Sequence, residues 1–299
     1  MKLLTGAYAI VFAMTDVAIS ARGLRKAYGP KQAVDGLDLT VDQGEIFALL
    51  GPNGAGKTTT IEILEGFRKR DAGEVSVLGV DPAQPTADWR GRVGIVLQGT
   101  GEFEDLRVEE VVRLFAGYYP NADDPVTVLD RVGLTEKRRA LTHTLSGGQK
   151  RRLDVALGVI GRPDLLFLDE PTTGFDPEAR REFWVLIRDL ARGGTTIVLT
   201  THYLEEAEAL ADRVGVINDG RLMAAARPAE LGGRATLPAL VSWTGATGPQ
   251  SAQTHTPTEY VLKLAQQFDG GEIPGLAVKR PSLEDVYLEM IGHGTGEQS

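Results

Sequence analysis

The sequence predicts an α/β fold with a mixed sheet at its centre, a helical insertion, and a small α/β appendage at the C-terminal end. Three observations carry this. Near-continuous apolar runs at 45–51, 93–98, 164–170 and 195–201 alternate with helical patterns, as strands covered on both faces require. Between them, Val108, Val111, Val112, Phe115 and Tyr118 recur at helical spacing with no strand-like run nearby. After about Gly232 the composition turns rich in Thr, Ser, Gly and Gln.

In chain order, "EIFALLG" (45–51) reads as a buried strand and Lys57 to Phe67 as the helix after it. "VGIVLQ" (93–98) is the next core strand, followed by the helical insertion over about 99–160. "DLLFLDE" (164–170) returns to the sheet. Asp176 and Pro177 then open a helix as N-cap and first residue, and Gly193-Gly194 closes it. "TTIVLTT" (195–201) is a further core strand, and "VGVINDGRLMA" is a hairpin turning at "NDG". In the appendage, the strand "LPALVSW" precedes the helix "PTEYVLKLAQQF", the strand "GLAVKR" and a last helix, "SLEDVYLEMI". Leu283, Val286, Tyr287 and Met290 form that helix's apolar stripe and are expected to pack the appendage core. The resulting division is an extension at 1–14, a main domain at 15–231 and an accessory domain at 232–299.

Length and composition fit a globular chain: 299 residues, 42% of them hydrophobic, bury a sizeable core. A balance of 32 Lys+Arg against 41 Asp+Glu, net −9, argues against a nucleic-acid partner held by bulk electrostatics. Cysteine is absent, which removes disulfides, thiolate metal ligands and thiol nucleophiles. The apolar run in "MKLLTGAYAIVFAM" is short for a spanning helix, and its small residues precede the apolar core instead of following it as a cleavage site would. Residues 1–14 are therefore expected to be a poorly ordered or non-native extension.

"GPNGAGKTT" (51–59) matches the phosphate-loop pattern in the required context, after a strand and before a helix. Gly51, Asn53, Gly54 and Gly56 let backbone N–H groups converge on phosphate, and Lys57 reaches the β- and γ-phosphates. The hydroxyl of Thr58, followed by Thr59, suits Mg²⁺. "LLFLDE" delivers Asp169 and Glu170 at the carboxyl end of a strand, where α/β sheets place their ligands. Asp169 is expected to hold Mg²⁺ through water and Glu170 to polarise an attacking water. The expected cofactors are ATP and Mg²⁺.

With "LSGGQ" at 145–149 following the phosphate loop and preceding "LLFLDE", the chain resembles the nucleotide-binding subunit of an ATP-binding cassette (ABC) transporter. Ser146, Gly147 and Gly148 lead into a helix beginning near Gln149, a second helix N-terminus suited to the γ-phosphate. The resemblance implies that this segment grips ATP held by the phosphate loop of a second ATP-binding subunit, in a homodimer with two competent sites. It further implies that Tyr28 stacks on adenine and that Gln98 touches Mg²⁺ and water. By the same resemblance His202 is expected to contact the γ-phosphate and help position Glu170, and Asp176 to cross the subunit interface. One departure is Phe175, where the family usually has leucine, which predicts a bulkier subunit contact.

The tail "RPSLEDVYLEMIG" resembles that of daunorubicin-resistance-type ATP-binding subunits, which serve drug, lipid and polysaccharide exporters. In those systems a separate multi-spanning permease carries the cargo. The resemblance therefore implies an ATPase bound peripherally at the cytoplasmic face of the membrane, with the permease docked between Gln98 and the insertion. An importer subunit shares every cassette motif, and only the tail argues against it. Soluble cassette ATPases of translation or DNA repair carry a second cassette or a very long insertion; this chain has one cassette and a short insertion. A cassette that binds ATP without hydrolysing it would be expected to lack Glu170 or His202, and both are present.

Overall fold

The computed structural model describes residues 16–96, 103–268 and 271–292. Three strands near the N-terminus, β1 (Val17–Tyr28), β2 (Lys31–Asp42) and β4 (Ala72–Val77), form an antiparallel sheet in the order β2-β1-β4. A second sheet holds β3 (Ile46–Leu50), β5 (Val93–Val96), β6 (Leu165–Asp169), β7 (Thr196–Thr201), β8 (Arg213–Asn218) and β9 (Arg221–Ala226). Its order is β5-β6-β7-β3-β8-β9, parallel except for the terminal β8/β9 hairpin. That hairpin turns at Asp219 and Gly220, both at positive φ, as the "NDG" reading expects.

The uninterrupted apolar runs are explained by two cores, one on each face of this sheet. Successive side chains of a strand point to opposite faces. Ile46, Ala48 and Leu50 of β3, with Leu166, Leu168, Ile197 and Leu199, enter one core, while Phe47, Leu49, Leu165, Phe167 and Val198 enter the other. The second core is closed by the antiparallel sheet and by α1 (Lys57–Leu64), through Ile61, Ile63 and Leu64. Helix α2 (Ala87–Arg92) buries Trp89 there too.

The first core is closed by α3 (Val108–Ala116), α4 (Pro125–Arg131), α5 (Gly147–Val159), α6 (Pro177–Arg192) and α7 (Leu204–Leu210). Val108, Val111 and Val112 are fully buried on α3, as the helical spacing predicts. Tyr118 is not: the helix ends before it and the ring is 73% exposed.

Helix α1 also ends earlier than its apolar pattern suggests. At Gly66 the backbone turns to φ +76°, where a Cβ would lie 2.6 Å from the Pro82 carbonyl oxygen, so only glycine fits. Phe67 is thereby thrown into solvent, 78% exposed.

In the appendage, β10 (Ala239–Gly245), β11 (Gly248–Thr254) and β12 (Ala277–Lys279) form a sheet in the order β11-β10-β12. Its apolar face, with Val241 and Trp243, packs against Leu264 of α8 (Pro257–Ala265) and against Ile273. Strand β11 lies within the stretch rich in Thr, Ser, Gly and Gln, an edge strand whose outward positions have nothing to bury. Helix α9 (Leu283–Gly292) departs from expectation: Leu283, Tyr287 and Met290 join the core of the main domain, not that of the appendage. The appendage core is already filled from α8. Arg234 secures the return by pairing with Glu208 of α7 at 2.7 Å and donating to the Pro281 carbonyl at 2.8 Å. Among the described residues no helix is long and apolar enough to cross a membrane.

Candidate functional site

The loop from Gly51 to Gly56 joins β3 to α1, and at its two ends it passes other backbone too closely for a side chain. A Cβ on Gly51 would stand 2.4 Å from the Ile217 carbonyl oxygen. On Gly56, which caps α1 at φ 105°, it would stand 2.3 Å from that of Ala33. The loop is thus clamped between β2 and β8, and the unpaired N–H groups at the start of α1 face the cleft it encloses. That cleft, about 230 Å³, is bounded by Tyr28, Lys31, Asn53, Gly54, Thr58 and Thr59 around Lys57 and Glu170.

Lys57 is 5% exposed, and its Nζ donates to the carbonyls of Gly51 at 2.8 Å and Pro52 at 3.2 Å. It also lies 3.6 Å from Glu170 Oε1. Across the same carboxylate, His202 Nδ1 is 3.3 Å from Glu170 Oε2. Lys57, Glu170 and His202, from three separate segments, are therefore one cluster. Glu170 sits at φ 42°, a left-handed conformation that strains a residue with a Cβ by about 1–3 kcal/mol. Thr200 on β7 holds the turn: its hydroxyl accepts from the Glu170 N–H at 2.9 Å and donates to Asp169 Oδ1 at 2.5 Å.

Tyr28 ends β1 with its ring half open, and the cations of Lys26 and Arg68 stand 5.7 and 5.3 Å from its centroid. Gln98 lies outside the described residues.

Ser146 to Gln149 do not line this cleft. Ser146 is the N-cap of α5: its hydroxyl accepts from the Gln149 N–H at 3.3 Å, and Gln149 Oε1 accepts from the Ser146 N–H at 3.1 Å. Gly147 and Gly148 face open space: apart from their own helix, no described residue comes within 4 Å of a Cβ built on either. Asp176 caps α6, accepting from the N–H groups of Glu178 at 3.0 Å and Ala179 at 2.8 Å. Phe175 turns inward and packs edge-on against Phe183, centroids 5.6 Å apart, so much of its extra bulk goes into the core and not towards a partner.

Several residues that surround the site have no motif of their own. Arg151, two residues past "LSGGQ", donates to the carbonyls of Asp169 at 2.8 Å and Pro171 at 3.1 Å, tying α5 to the end of β6. Lys31 and Thr200 are equally unmarked in the sequence. At the end of α1, burial, reinforced by the carboxylates of Asp169 and Glu62, pushes the Glu65 carboxyl up to about 7.

Glu65 sets a pH dependence whose sign is determined. From its ordinary value of 4.5 up to about 7 the unfolded chain has released this proton while the folded chain keeps it, so stability falls as pH rises through that window. The shift corresponds to at most ~3 kcal/mol, reduced to ~1–2 for a half-buried group. Glu65→Gln is expected to raise the melting temperature of the nucleotide-free protein at pH 8 and to raise it less at pH 5. Equal melting curves for the two proteins at both pH values would contradict the assignment.

Residues 34–173 match the family described as ABC transporter. Daunorubicin resistance ATP-binding protein DrrA2 of Streptomyces coeruleorubidus is 37% identical, over 94% of this chain and 97% of its own length. Nod factor export ATP-binding protein I of Ralstonia nicotianae is 38% identical, over 92% and 94% respectively. A solved structure of an ATP binding subunit of an ABC transporter shares the fold with a TM-score of 0.68 at 23% identity, covering 91% of this chain and 99% of that one.

Proposed function

Because the chain belongs to the ABC transporter family and is one of its ATP-binding, ATP-hydrolysing subunits, we propose that it drives export of a drug, lipid or polysaccharide through a separately encoded permease at the cytoplasmic face of the membrane. Whole-length similarity to export ATP-binding proteins supports export. The observation that carries the hydrolytic role is the placement of Glu170 between Lys57 and His202 beside the phosphate loop.

In this reading Glu170 accepts a proton from the attacking water, while Lys57 and the N-terminus of α1 stabilise charge on the phosphates. His202 positions Glu170 and reaches the γ-phosphate. The hard oxygen donors of Thr58 and Asp169 fit Mg²⁺, a cation that takes one or two protein ligands and completes its shell with phosphate and water. Bound there, it would neutralise charge on the β- and γ-phosphates.

Two chains are needed to complete each site. Glycine is a poor helix former, yet α5 begins with two that contacts among the described residues do not require. Their use lies outside the chain: they leave the helix N-terminus bare for the γ-phosphate of ATP on a second copy.

The permease would dock in a groove of about 600 Å³ between the sheet and the insertion, walled by Phe67, Ile95, Phe103, Phe115 and Tyr119. An apolar wall of this kind, with Phe67 standing out of it, suits an anchoring contact. Phe67→Asp is expected to abolish co-purification of a membrane partner and leave ATP binding intact; undiminished co-purification would remove the groove from the reading.

The test of the function is affinity purification of tagged protein from detergent-solubilised native membranes. A multi-spanning protein with no cassette of its own is the expected partner. Recovery with ribosomes or DNA-repair proteins, from the soluble fraction alone, would overturn the transporter reading while leaving the ATP site.

A further inference from the structure

Tyr203 follows His202 and caps α7. The two rings are in tilted contact, centroids 4.1 Å apart and planes inclined by 40°. Over the tyrosine ring lies the guanidinium of Arg180, its Cζ 4.4 Å from the centroid. Arg180 is in the first turn of α6, its N–H donating to the Asp176 carbonyl at 3.0 Å. Its Nε is buried and finds no acceptor among the described residues, so the ring is what the guanidinium packs on at this end. An arginine, a tyrosine and a histidine thus form a ladder that begins one helical turn beyond Asp176 and ends 3.3 Å from the Glu170 carboxylate.

The base of the ladder is held in place. Glu206 of α7, fully buried, accepts from the Thr172 hydroxyl at 2.9 Å and from Trp184 Nε1 at 3.2 Å, joining α7 both to the loop after Glu170 and to α6. The Tyr203 N–H donates to the Thr201 hydroxyl at 2.9 Å, which sets the exit of the chain from β7. With α6 and α7 fixed to each other below, a shift of the α6 N-terminus moves Arg180, and Arg180 moves the plane on which the His202 ring rests.

We propose that Tyr203, held by Arg180, is a positioning residue for His202, and that it relays the position of the Asp176 end of α6 to Glu170. The proposal rests on Glu170 and His202 being the hydrolytic pair. It predicts that what is required at position 203 is an aromatic ring, not a hydroxyl, and at position 180 a cation over that ring.

The experiment is steady-state ATP hydrolysis by the full chain carrying Tyr203→Leu, Tyr203→Phe, Arg180→Met or Arg180→Lys, with melting temperatures recorded for each. Tyr203→Leu is expected to lower kcat about 10- to 100-fold, since misplacing a catalytic group by about 1 Å costs up to about 10²-fold in rate, with KM for ATP unchanged within about twofold. Tyr203→Phe should restore kcat, and Arg180→Met should fall further than Arg180→Lys. The relay is overturned by a wild-type kcat in Tyr203→Leu, by equal impairment in Tyr203→Phe, or by an effect confined to KM. If Tyr203→Leu does not fold, the Arg180 pair reads the same relay. Glu170→Gln measured alongside separates the two levels: turnover retained there breaks the underlying hydrolytic assignment, whereas turnover lost there with Tyr203→Leu unaffected breaks only the relay.

Discussion

Replacing Glu170 with Gln is expected to leave ATP bound and lower its hydrolysis by about 10²–10⁴-fold, the usual contribution of a positioned general base. The amide keeps the volume and the backbone turn, so the strained conformation at φ 42° and its support from Thr200 persist. What disappears is the proton acceptor, together with the negative charge 3.6 Å from Lys57 Nζ. ATP then remains between two chains, and gel filtration with ATP and Mg²⁺ should show a dimer that the wild type forms only transiently. Turnover within a few-fold of wild type would show that the base lies elsewhere.

A second large loss is expected from Gly148→Asp, for a different reason. Among the described residues nothing crowds a Cβ at that position, so folding and ATP binding by the isolated subunit should be unaffected. The melting temperature should hold or rise slightly, because an acidic residue in the first turn of α5 opposes the helix dipole favourably by about 0.3–1 kcal/mol. Hydrolysis should nevertheless fall by about 10²-fold or more, since a carboxylate would occupy the place meant for the γ-phosphate of the other subunit's ATP. A variant that is more stable, binds ATP and does not turn it over would separate the site's assembly from the chain's own fold. Retained hydrolysis would mean that the helix N-terminus is not used.

How much of this was legible in the sequence depends on where the information resides. Strands β3, β6 and β7 were read because both their faces are buried, which leaves unbroken apolar runs. Strands β1, β2 and β4 were not singled out: they bury one face, and β1 is interrupted by register shifts around Gly23. Strand β11 has no apolar run to mark it, because an edge strand with an exposed outer face needs few apolar residues. The end of α1 was misplaced by three residues because Phe67 continues the apolar pattern, although Gly66 carried the stop signal.

The same division applies to the site. Lys57, Glu170 and His202 were assigned to a common site from motifs, and they meet around one carboxylate. Arg151, Arg180, Tyr203 and Glu206 carried no signal, since each acts through a contact with a segment distant in sequence. Gly147 and Gly148 stood out by composition, whereas their exposure is a property of the fold alone.

The claim on which the account rests is that each ATP is shared between the phosphate loop of one chain and the "LSGGQ" segment of another. Mixing two inactive variants, Lys57→Ala and Gly148→Asp, tests it most directly. In a mixed dimer the Gly148→Asp chain still supplies an intact phosphate loop and the Lys57→Ala chain an intact Ser146–Gln149 segment, so one of the two sites is whole. Hydrolysis by the mixture well above that of either variant alone is the predicted result. No recovery, with mixed dimers shown to form, would place each site within a single chain and contradict the account.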